Sequence, residues 1–322
     1  MLFDSFSLIL YASNSTMADI EALSDDLQKI AIEQLNEVPA KIPEYLNKLK
    51  AWILKQPHLK SRTDDQFLIQ FLRLSKYNLE EAKQKVDSFY TQKTKYPDWF
   101  GTTDVDSPRF REMHNLGCTF VLPMPLHGCG PRIVIYRYWY PIEKYTMEEI
   151  IETSVATVET FIMNDPYACI RGVLYLLDMA EITPAKIEQY TPRVLKMLDV
   201  FYDKYIPLHS VGFYYFNIPP FADNFFQQYL DSLPKDFRKN ILITGKNVKH
   251  ITDKVPLKYL PKDYGGENGC LTDLAKEFNK VWDNQRTYFQ ENAQYGVDEK
   301  LREIPATNSD ITSDDSDWII VD

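Results

Sequence analysis

Apolar positions follow two different periods along this chain, and the change of period divides the sequence. In the first third they recur every three or four residues, as at Phe67, Leu68 and Phe71, which predicts amphipathic helices. Beyond Gly101, short continuous apolar runs such as Gly172–Asp178 alternate with segments of helix period. Strands that alternate with helices predict βαβ units and a mixed, mainly parallel sheet.

Helix caps and a late change of composition give the predicted boundaries. Ser24 and Asn78 can each cap a helix, and the helical pattern ends near Trp99. From Ile304 onward the chain is rich in Asp, Ser and Thr and has no basic residue, which is typical of a disordered tail. We therefore predict four parts: an extension over 1–23, an all-helical module over 24–100, an α/β domain over 101–290, and a C-terminal segment over 291–322 that carries the acidic tail.

The stretch Tyr205–Leu233 joins an aromatic strand pattern to an aromatic helix pattern. Val211–Phe216 is strand-like, Asn217–Pro220 ends it, and apolar residues of Phe221–Leu233 then recur every three or four positions. One interpretation is a core strand followed by a core helix. The other is a strand that floors an apolar pocket and a helix that covers it.

Composition narrows the classes of function. The chain has 322 residues and a net charge of −10, which argues against general nucleic-acid binding because that requires a basic surface. Its four cysteines show no CxxC pairing, so we expect free thiols in a reducing compartment and a cytoplasmic location. No run reaches the roughly 18 apolar residues of a membrane span. The first 16 residues do not have the pattern of a signal peptide, because no Lys or Arg precedes Lys29. They are an extension that begins at Met1, or translation starts at Met17.

Chemistry-bearing motifs are sparse, while aromatic residues make up 14% of the chain. Phosphate-binding glycine loops, nucleophile elbows and HExxH pairs are missing from the sequence. Cys118, His127 and Cys129 lack the paired spacing of a zinc site. Asp178 ends an apolar strand, where it serves either a turn or a reaction on a lipid substrate. We predict a binding protein rather than an enzyme, with no cofactor and no metal.

Six motifs in a fixed order resemble the CRAL-TRIO lipid-binding family, in the branch of the α-tocopherol transfer protein and the cellular retinaldehyde-binding protein. They extend over about residues 24 to 290. The matching stretches are Asp64–Arg73 with Asn78–Ala82, Pro131–Ile135, Gly172–Asp178, Gln189–Pro192, Tyr205–Leu208 with Asn217–Pro219, and Leu260–Gly266.

The resemblance implies an N-terminal helical module and an α/β domain whose sheet floors an apolar pocket under a mobile helix, here Phe221–Leu233. It also implies a monomer that carries one lipophilic molecule, such as a tocopherol, retinoid or carotenoid, with transient membrane contact. The wall residues we expect are Ile135, Ile182, Leu198, Phe201, Tyr202, Ile206, Leu208, Phe213 and Tyr215, with Phe225, Phe226 and Tyr229 from the lid.

One departure from the family favours a second hypothesis. Members that exchange ligand against phosphoinositide carry basic residues at positions that here read His209, Val211, Asp236 and Asn240. The alternative function is a phospholipid-sensing regulatory module that recruits a partner through its acidic tail. Trp318–Val321 follows several acids, as in short motifs that add an edge strand to a partner; otherwise it is a solvated end.

Overall fold

The N-terminal part of the chain is helical. The computed structural model describes residues 18–233, 235–244 and 251–302. Ser24 Oγ accepts a hydrogen bond from the Leu27 N–H at 3.4 Å, and Asn78 Oδ1 accepts from Glu80 and Glu81, so both predicted caps are confirmed. The helices here are α1 (Asp25–Leu35), α2 (Ile42–Ile53), α3 (Asp65–Leu74), α4 (Leu79–Lys95), α5 (Pro97–Phe100) and α6 (Pro108–Asn115).

A five-stranded sheet forms the centre of the second part. Its order is β2-β3-β4-β5-β6, and only the β2–β3 pair is antiparallel, which confirms the predicted mixed, mainly parallel sheet. A separate two-stranded ladder joins β1 to β7 and so ties an early segment to a late one. The strands are β1 (Leu59–Lys60), β2 (Thr119–Val121), β3 (Arg132–Arg137), β4 (Val173–Asp178), β5 (Ser210–Phe216), β6 (Ile241–Ile243) and β7 (Gly296–Val297).

Helices connect and cover the strands. They are α7 (Met147–Glu159), α8 (Phe161–Asn164), α9 (Pro166–Arg171), α10 (Pro184–Glu188), α11 (Pro192–Val200), α12 (Asp223–Ser232), α13 (Lys235–Arg238) and α14 (Leu271–Glu291). The sequence pattern predicts one long helix from Thr183 to Tyr202, and this expectation is wrong. The helix stops before Pro192, which has no N–H to donate and disfavours helical geometry in the residue before it.

The two faces of the sheet bury different cores. On one face Val134, Tyr175, Phe213 and Tyr215 join the core that extends into the N-terminal helices and α14. On the other face Ile135 and other alternate strand residues pack against the segment after β6. This division follows from the period of two along a strand, since successive side chains point to opposite faces.

A buried polar cluster joins the helical part to the α/β part. Glu159 at the end of α7 is 1% exposed, and its carboxylate lies 3.2 Å from Lys93 Nζ of α4. It accepts hydrogen bonds from the Tyr205 and Tyr288 hydroxyls at 2.7 and 3.0 Å and from Asn292 Nδ2 at 3.0 Å. Four groups from three separate parts of the chain therefore satisfy one buried carboxylate.

Several expectations fall outside the described residues. The alternative start at Met17 and the motif at Trp318–Val321 are among them, as is the side chain of Asp236. Within the described part of the chain, no helix is both long and apolar enough to cross a membrane.

Candidate ligand-binding cavity

An aromatic cavity lies on the face of the sheet that carries Phe213 and Tyr215. Its empty space is about 900 Å³, including the part open to solvent at its mouth. Clefts that hold a small organic molecule are typically lined by apolar and aromatic side chains with a few polar groups. The lining residues are Cys118, Tyr136, Arg137, Tyr138, Tyr140, Met147, Ile150, Ile151, Ser154, Val155, Leu177, Tyr190, Leu198, Phe201, Tyr202, Phe213, Tyr215, Phe225, Phe226 and Tyr229.

A row of stacked rings lies at the floor, where Tyr136 and Phe213 line the cavity. The Tyr175 ring lies parallel to Phe213, with centroids 5.0 Å apart and an interplanar angle of 12°, and it stacks on Tyr136 at 5.8 Å and 6°. These rings belong to the neighbouring strands β3, β4 and β5, so they cross the sheet as one row. Stacked rings hold one another in place, which gives the cavity a rigid base.

One stripe of α7 forms a side wall. Met147, Ile150, Ile151, Ser154 and Val155 all line the cavity. Their spacing of three and four residues places them on a single face of the helix. Thr146 and Glu149 fix the start of α7 through a reciprocal capping box, so the stripe has a defined position along the helix axis.

The roof is helix α12. Phe225, Phe226 and Tyr229 project from it into the cavity. Phe225 contacts the Tyr190 ring with centroids 5.3 Å apart, and Phe226 contacts Tyr215 at the same distance. The helix is therefore held over the cavity by ring contacts, which can separate without breaking a backbone hydrogen-bond ladder.

A π-helical segment, Phe201–Tyr205, completes the wall. The Ile206 N–H donates to the Phe201 carbonyl five residues back, at 3.1 Å. Phe201 and Tyr202 line the cavity, whereas Tyr205 points away and stacks between Phe89 and Phe100. Single π turns inside helices are rare and are frequent at functional sites.

Burial keeps the tyrosine hydroxyls and the thiol of the wall neutral. It raises the pKa of the Tyr138 hydroxyl to about 12, and it raises the pKa of the Cys118 thiol to about 12 as well. The pKa values of the Tyr190, Tyr202 and Tyr215 hydroxyls are raised for the same reason. The hydroxyls can therefore offer hydrogen bonds to a ligand without placing a negative charge in the cavity.

Asp178, the acid at the end of β4, serves the turn that follows it. Its carboxylate accepts hydrogen bonds from the Ala180 N–H at 3.1 Å, from Asn217 Nδ2 at 2.8 Å and from the Tyr264 hydroxyl at 2.6 Å. Arg137, which lines the cavity, lies 3.9 Å from it and stacks on Trp139. Asp178 therefore holds three loop segments together at the carboxyl edge of the sheet.

The structure brings most of the predicted wall residues together. Eight of the twelve line the cavity: Leu198, Phe201, Tyr202, Phe213, Tyr215, Phe225, Phe226 and Tyr229. Ile135 faces the other side of the sheet, because it alternates with Tyr136 along β3. Ile182, Ile206 and Leu208 are buried in the core outside the wall. That the eight residues contact a ligand stays a prediction.

Sequence reasoning missed the contribution of α7 and of the end of β3. The periodic spacing of Met147, Ile150 and Ile151 was a usable signal, because it marks the buried face of the helix. Tyr136, Tyr138 and Tyr140 alternate with polar or exposed residues, which is also a strand signal. Within the described residues no group of three or more His, Cys, Asp or Glu side chains is arranged to hold a metal ion.

Comparisons with known proteins match both parts of the chain. The family described as "Pinta-like, UBA domain" matches residues 38–110, and the family described as "CRAL/TRIO domain" matches residues 130–266. A relative named "Alpha-tocopherol transfer protein-like" from Mus musculus is 24% identical over 252 residues, which are 78% of this chain and 72% of that protein. "Clavesin-2" from Homo sapiens is 22% identical over 275 residues, 85% of this chain and 82% of that protein. A solved structure titled "Crystal structure of Sfh5" is 10% identical and has a TM-score of 0.48, covering 79% of this chain and 92% of that one.

Proposed function

We propose that this chain carries one hydrophobic molecule of the tocopherol, retinoid or carotenoid type, because residues 130–266 match the family described as "CRAL/TRIO domain", whose members bind and transfer small lipophilic ligands. The observation that supports this proposal is the aromatic cavity between the sheet, α7 and α12. Its aromatic and apolar lining suits the largely hydrocarbon surface of such molecules. Catalysis has no part in the proposal, because Asp178 is engaged by its own turn and loops.

The free energy of ligand retention comes mainly from removing apolar surface from water. A molecule with roughly 400 Å² of apolar surface gains on the order of 10 kcal/mol at about 25 cal/mol per Å². The free-energy cost of immobilising the ligand offsets part of this gain. A dry slot with neutral hydroxyls is therefore sufficient, and no ionic group is needed to hold the cargo.

In this proposal, helix α12 gates the cavity. Phe221 precedes it and is 52% exposed, although the helix turns Phe225 and Phe226 inward. When α12 swings out at a bilayer surface, its aromatic face meets lipid instead of water, which lowers the free-energy cost of opening. Ligand exchange would then be confined to membrane contact, and the loaded protein would keep its cargo in solution.

The first experiment identifies the cargo. The full chain is purified from its native cells, extracted with organic solvent and examined by mass spectrometry. A single isoprenoid or aromatic lipid at one molecule per chain supports the carrier function. A mixture of phospholipids, or no lipid at all, would overturn it and favour the phospholipid-sensing alternative.

Two tryptophan variants connect the cargo to the cavity. Leu198 lines the cavity, so Leu198→Trp fills part of it and should reduce the bound lipid at least tenfold. Leu195 lies on the same helix α11 and is 36% exposed, so Leu195→Trp is a matched control that should retain the lipid. Equal lipid content in both variants would place the ligand outside this cavity, and thermal unfolding shows whether both remain folded.

A transfer assay tests whether α12 contacts the membrane during ligand exchange. Fluorescent cargo moves from donor to acceptor vesicles in the presence of wild-type protein, Phe221→Ser or Leu257→Ser. Leu257 is a similarly exposed apolar residue (46%), but it lies in the segment that covers the other face of the sheet. We expect Phe221→Ser to slow transfer without changing the affinity for the cargo in solution. Leu257→Ser should change neither quantity. Equal rates for both variants would exclude contact through this end of α12.

A further inference from the structure

A second, smaller cavity lies behind the wall of the first. Its empty space is about 200 Å³ counted in the same way, of which only about 10 Å³ can hold the centre of a water molecule, and it is lined by Met113, His114, Cys118, Thr119, Ile150 and Thr153. All six side chains are buried, with exposed fractions of 9% or less. Helix α14 covers it from behind, where His114 Nε2 lies 2.9 Å from the Ala275 carbonyl oxygen and the His114 ring contacts Trp282.

The partition between the two cavities is thin. Cys118 and Ile150 line both cavities, so only one layer of side chains separates the spaces at these positions. Beside them a hydrogen-bonded pair crosses the partition: Ser154 faces the large cavity, Thr119 faces the small one, and their hydroxyl oxygens are 2.6 Å apart. Ser154 donates to the Ile150 carbonyl at 2.8 Å, which leaves the Thr119 hydroxyl as the donor between them.

The partition and the roof lie at opposite ends of the large cavity. Cys118 and Thr119 belong to the edge of the sheet at β2, whereas Phe226 and Tyr229 cover Tyr215 on β5. Two strands lie between them, so the separation is about 14 Å at about 4.8 Å per strand. A molecule that enters beneath α12 therefore extends across the sheet toward Cys118 and Ile150.

We infer that Ile150, together with Cys118, is the specificity-determining stop that sets the longest ligand this cavity accepts, and that a shorter side chain at position 150 would join the small chamber to the large cavity as space for a longer ligand. This inference rests on the proposed carrier function and adds the length selection of the same site. The stop is steric and neutral, because both side chains present only an apolar surface or an un-ionised thiol.

A homologous series of straight-chain 1-alkanols measures the limit directly. Each Kd is obtained on the full chain by displacement of an environment-sensitive dye from the cavity. While the added carbon atoms remain inside, each CH2 should tighten Kd by about fourfold. At the limit of the wild-type cavity the affinity stops rising, and the chain length at that point is the result to compare.

Variants on α7 then move or preserve the limit. Ile150→Ala opens the partition, so affinity should keep rising beyond the wild-type limit. Ile151→Ala removes the same atoms from the neighbouring position, which lines only the large cavity, and should leave the limit unchanged. Adding Thr153→Leu to Ile150→Ala refills the chamber and should return the limit to the wild-type length. Ile150→Val gives a smaller change in case the alanine variant is unstable.

Failure of the carrier function and failure of the stop at Ile150 give different results. If wild-type protein binds no member of the series, the proposed carrier function itself fails. If wild-type protein shows a limit that Ile150→Ala and Ile150→Val do not move, the stop lies elsewhere and the inference is overturned. A shift of the limit in Ile151→Ala equal to that in Ile150→Ala would also overturn it.

Discussion

Seven tyrosine side chains line the cavity, and their burial makes the protein sensitive to alkaline pH. Below pH 10 the hydroxyls are neutral in both the folded and the unfolded chain. Above it the unfolded chain loses protons that the folded chain retains, because burial raises the folded pKa, for Tyr138 to about 12. The free energy of unfolding should therefore fall between pH 10 and 12, by up to about 1.4 kcal/mol per pH unit for each such tyrosine.

Urea unfolding followed by tryptophan fluorescence at several pH values measures this slope. Tyr138→Phe removes one titrating hydroxyl and should flatten the slope by the contribution of one tyrosine. A free energy of unfolding that stays constant up to pH 12 would show that these hydroxyls ionise freely in the folded protein.

Glu159 and Lys93 form a buried ion pair whose disruption should destabilise the fold. Burial lowers the pKa of Lys93, and the adjacent Glu159 carboxylate opposes that effect. Removing one partner leaves a buried charge uncompensated, so Glu159→Gln and Lys93→Met should each lower the free energy of unfolding by about 3–5 kcal/mol. The double variant should lose clearly less than the sum, which a double-mutant cycle in urea measures. Strict additivity would show that the two groups do not interact.

The π-helical segment Phe201–Tyr205 sets the directions of the side chains around it. It directs Phe201 and Tyr202 into the cavity while Tyr205 reaches Glu159. Deleting the exposed Asp203 would restore α-helical spacing and rotate Tyr205 by about 100° relative to Phe201. We expect at least a tenfold weaker Kd for the ligand, together with a loss of about 2 kcal/mol in the free energy of unfolding.

Asp203→Ala is the control for that deletion. It removes the same side chain but leaves the five-residue spacing, so both measured quantities should stay near the wild-type values. A deletion variant that binds as tightly as wild type would mean that the wall tolerates either helix geometry.

Sequence reasoning reached the elements more easily than the wall of the cavity. Caps such as Ser24 and Asn78 are local hydrogen-bonding patterns, and both were predictable. The middle of β3, Ile133–Ile135, and β4 up to Leu177 are apolar on both faces, so these stretches carry no alternation that tells which side faces the cavity. That is why Ile135 was placed on the wrong face, while Phe213 and Tyr215 of β5 were placed in the wall. The π turn depends on packing of Tyr205 between Phe89 and Phe100, which no local pattern reveals.

Contacts across the whole molecule join the parts that the sequence separates. Arg62, beside β1, donates to Glu291 Oε2 and to the Tyr288 carbonyl, each at 2.8 Å, and its guanidinium lies over the Tyr288 ring. With the Glu159 cluster, these contacts connect the N-terminal helices to α14 and, through Tyr205, to the cavity wall. The division of the chain at residues 100 and 290 stays a prediction, because these contacts cross it.

Net charge decides which membranes the whole molecule approaches. The net charge of the chain is −10, and α12 holds Asp223 and Asp231, of which Asp231 lies 3.5 Å from Arg238 of α13. An anionic bilayer should therefore repel α12 at low salt. We expect cargo transfer to zwitterionic acceptor vesicles to be faster than transfer to vesicles that contain phosphatidylserine. The difference in rate should disappear as salt is added, because the Debye screening length falls from about 10 Å at 0.1 M to about 3 Å at 1 M.

Asp223→Asn tests whether the preference for zwitterionic vesicles comes from α12 or from the overall charge of the chain. It removes one negative charge beside Phe221, so it should narrow the gap at low salt far more than the same neutralisation at Asp273, at the start of α14. Equal effects of Asp223→Asn and Asp273→Asn would assign the repulsion to net charge alone. Faster transfer to the anionic vesicles would mean that a basic surface elsewhere guides docking, and α12 would then not be the part of the chain that first meets the membrane.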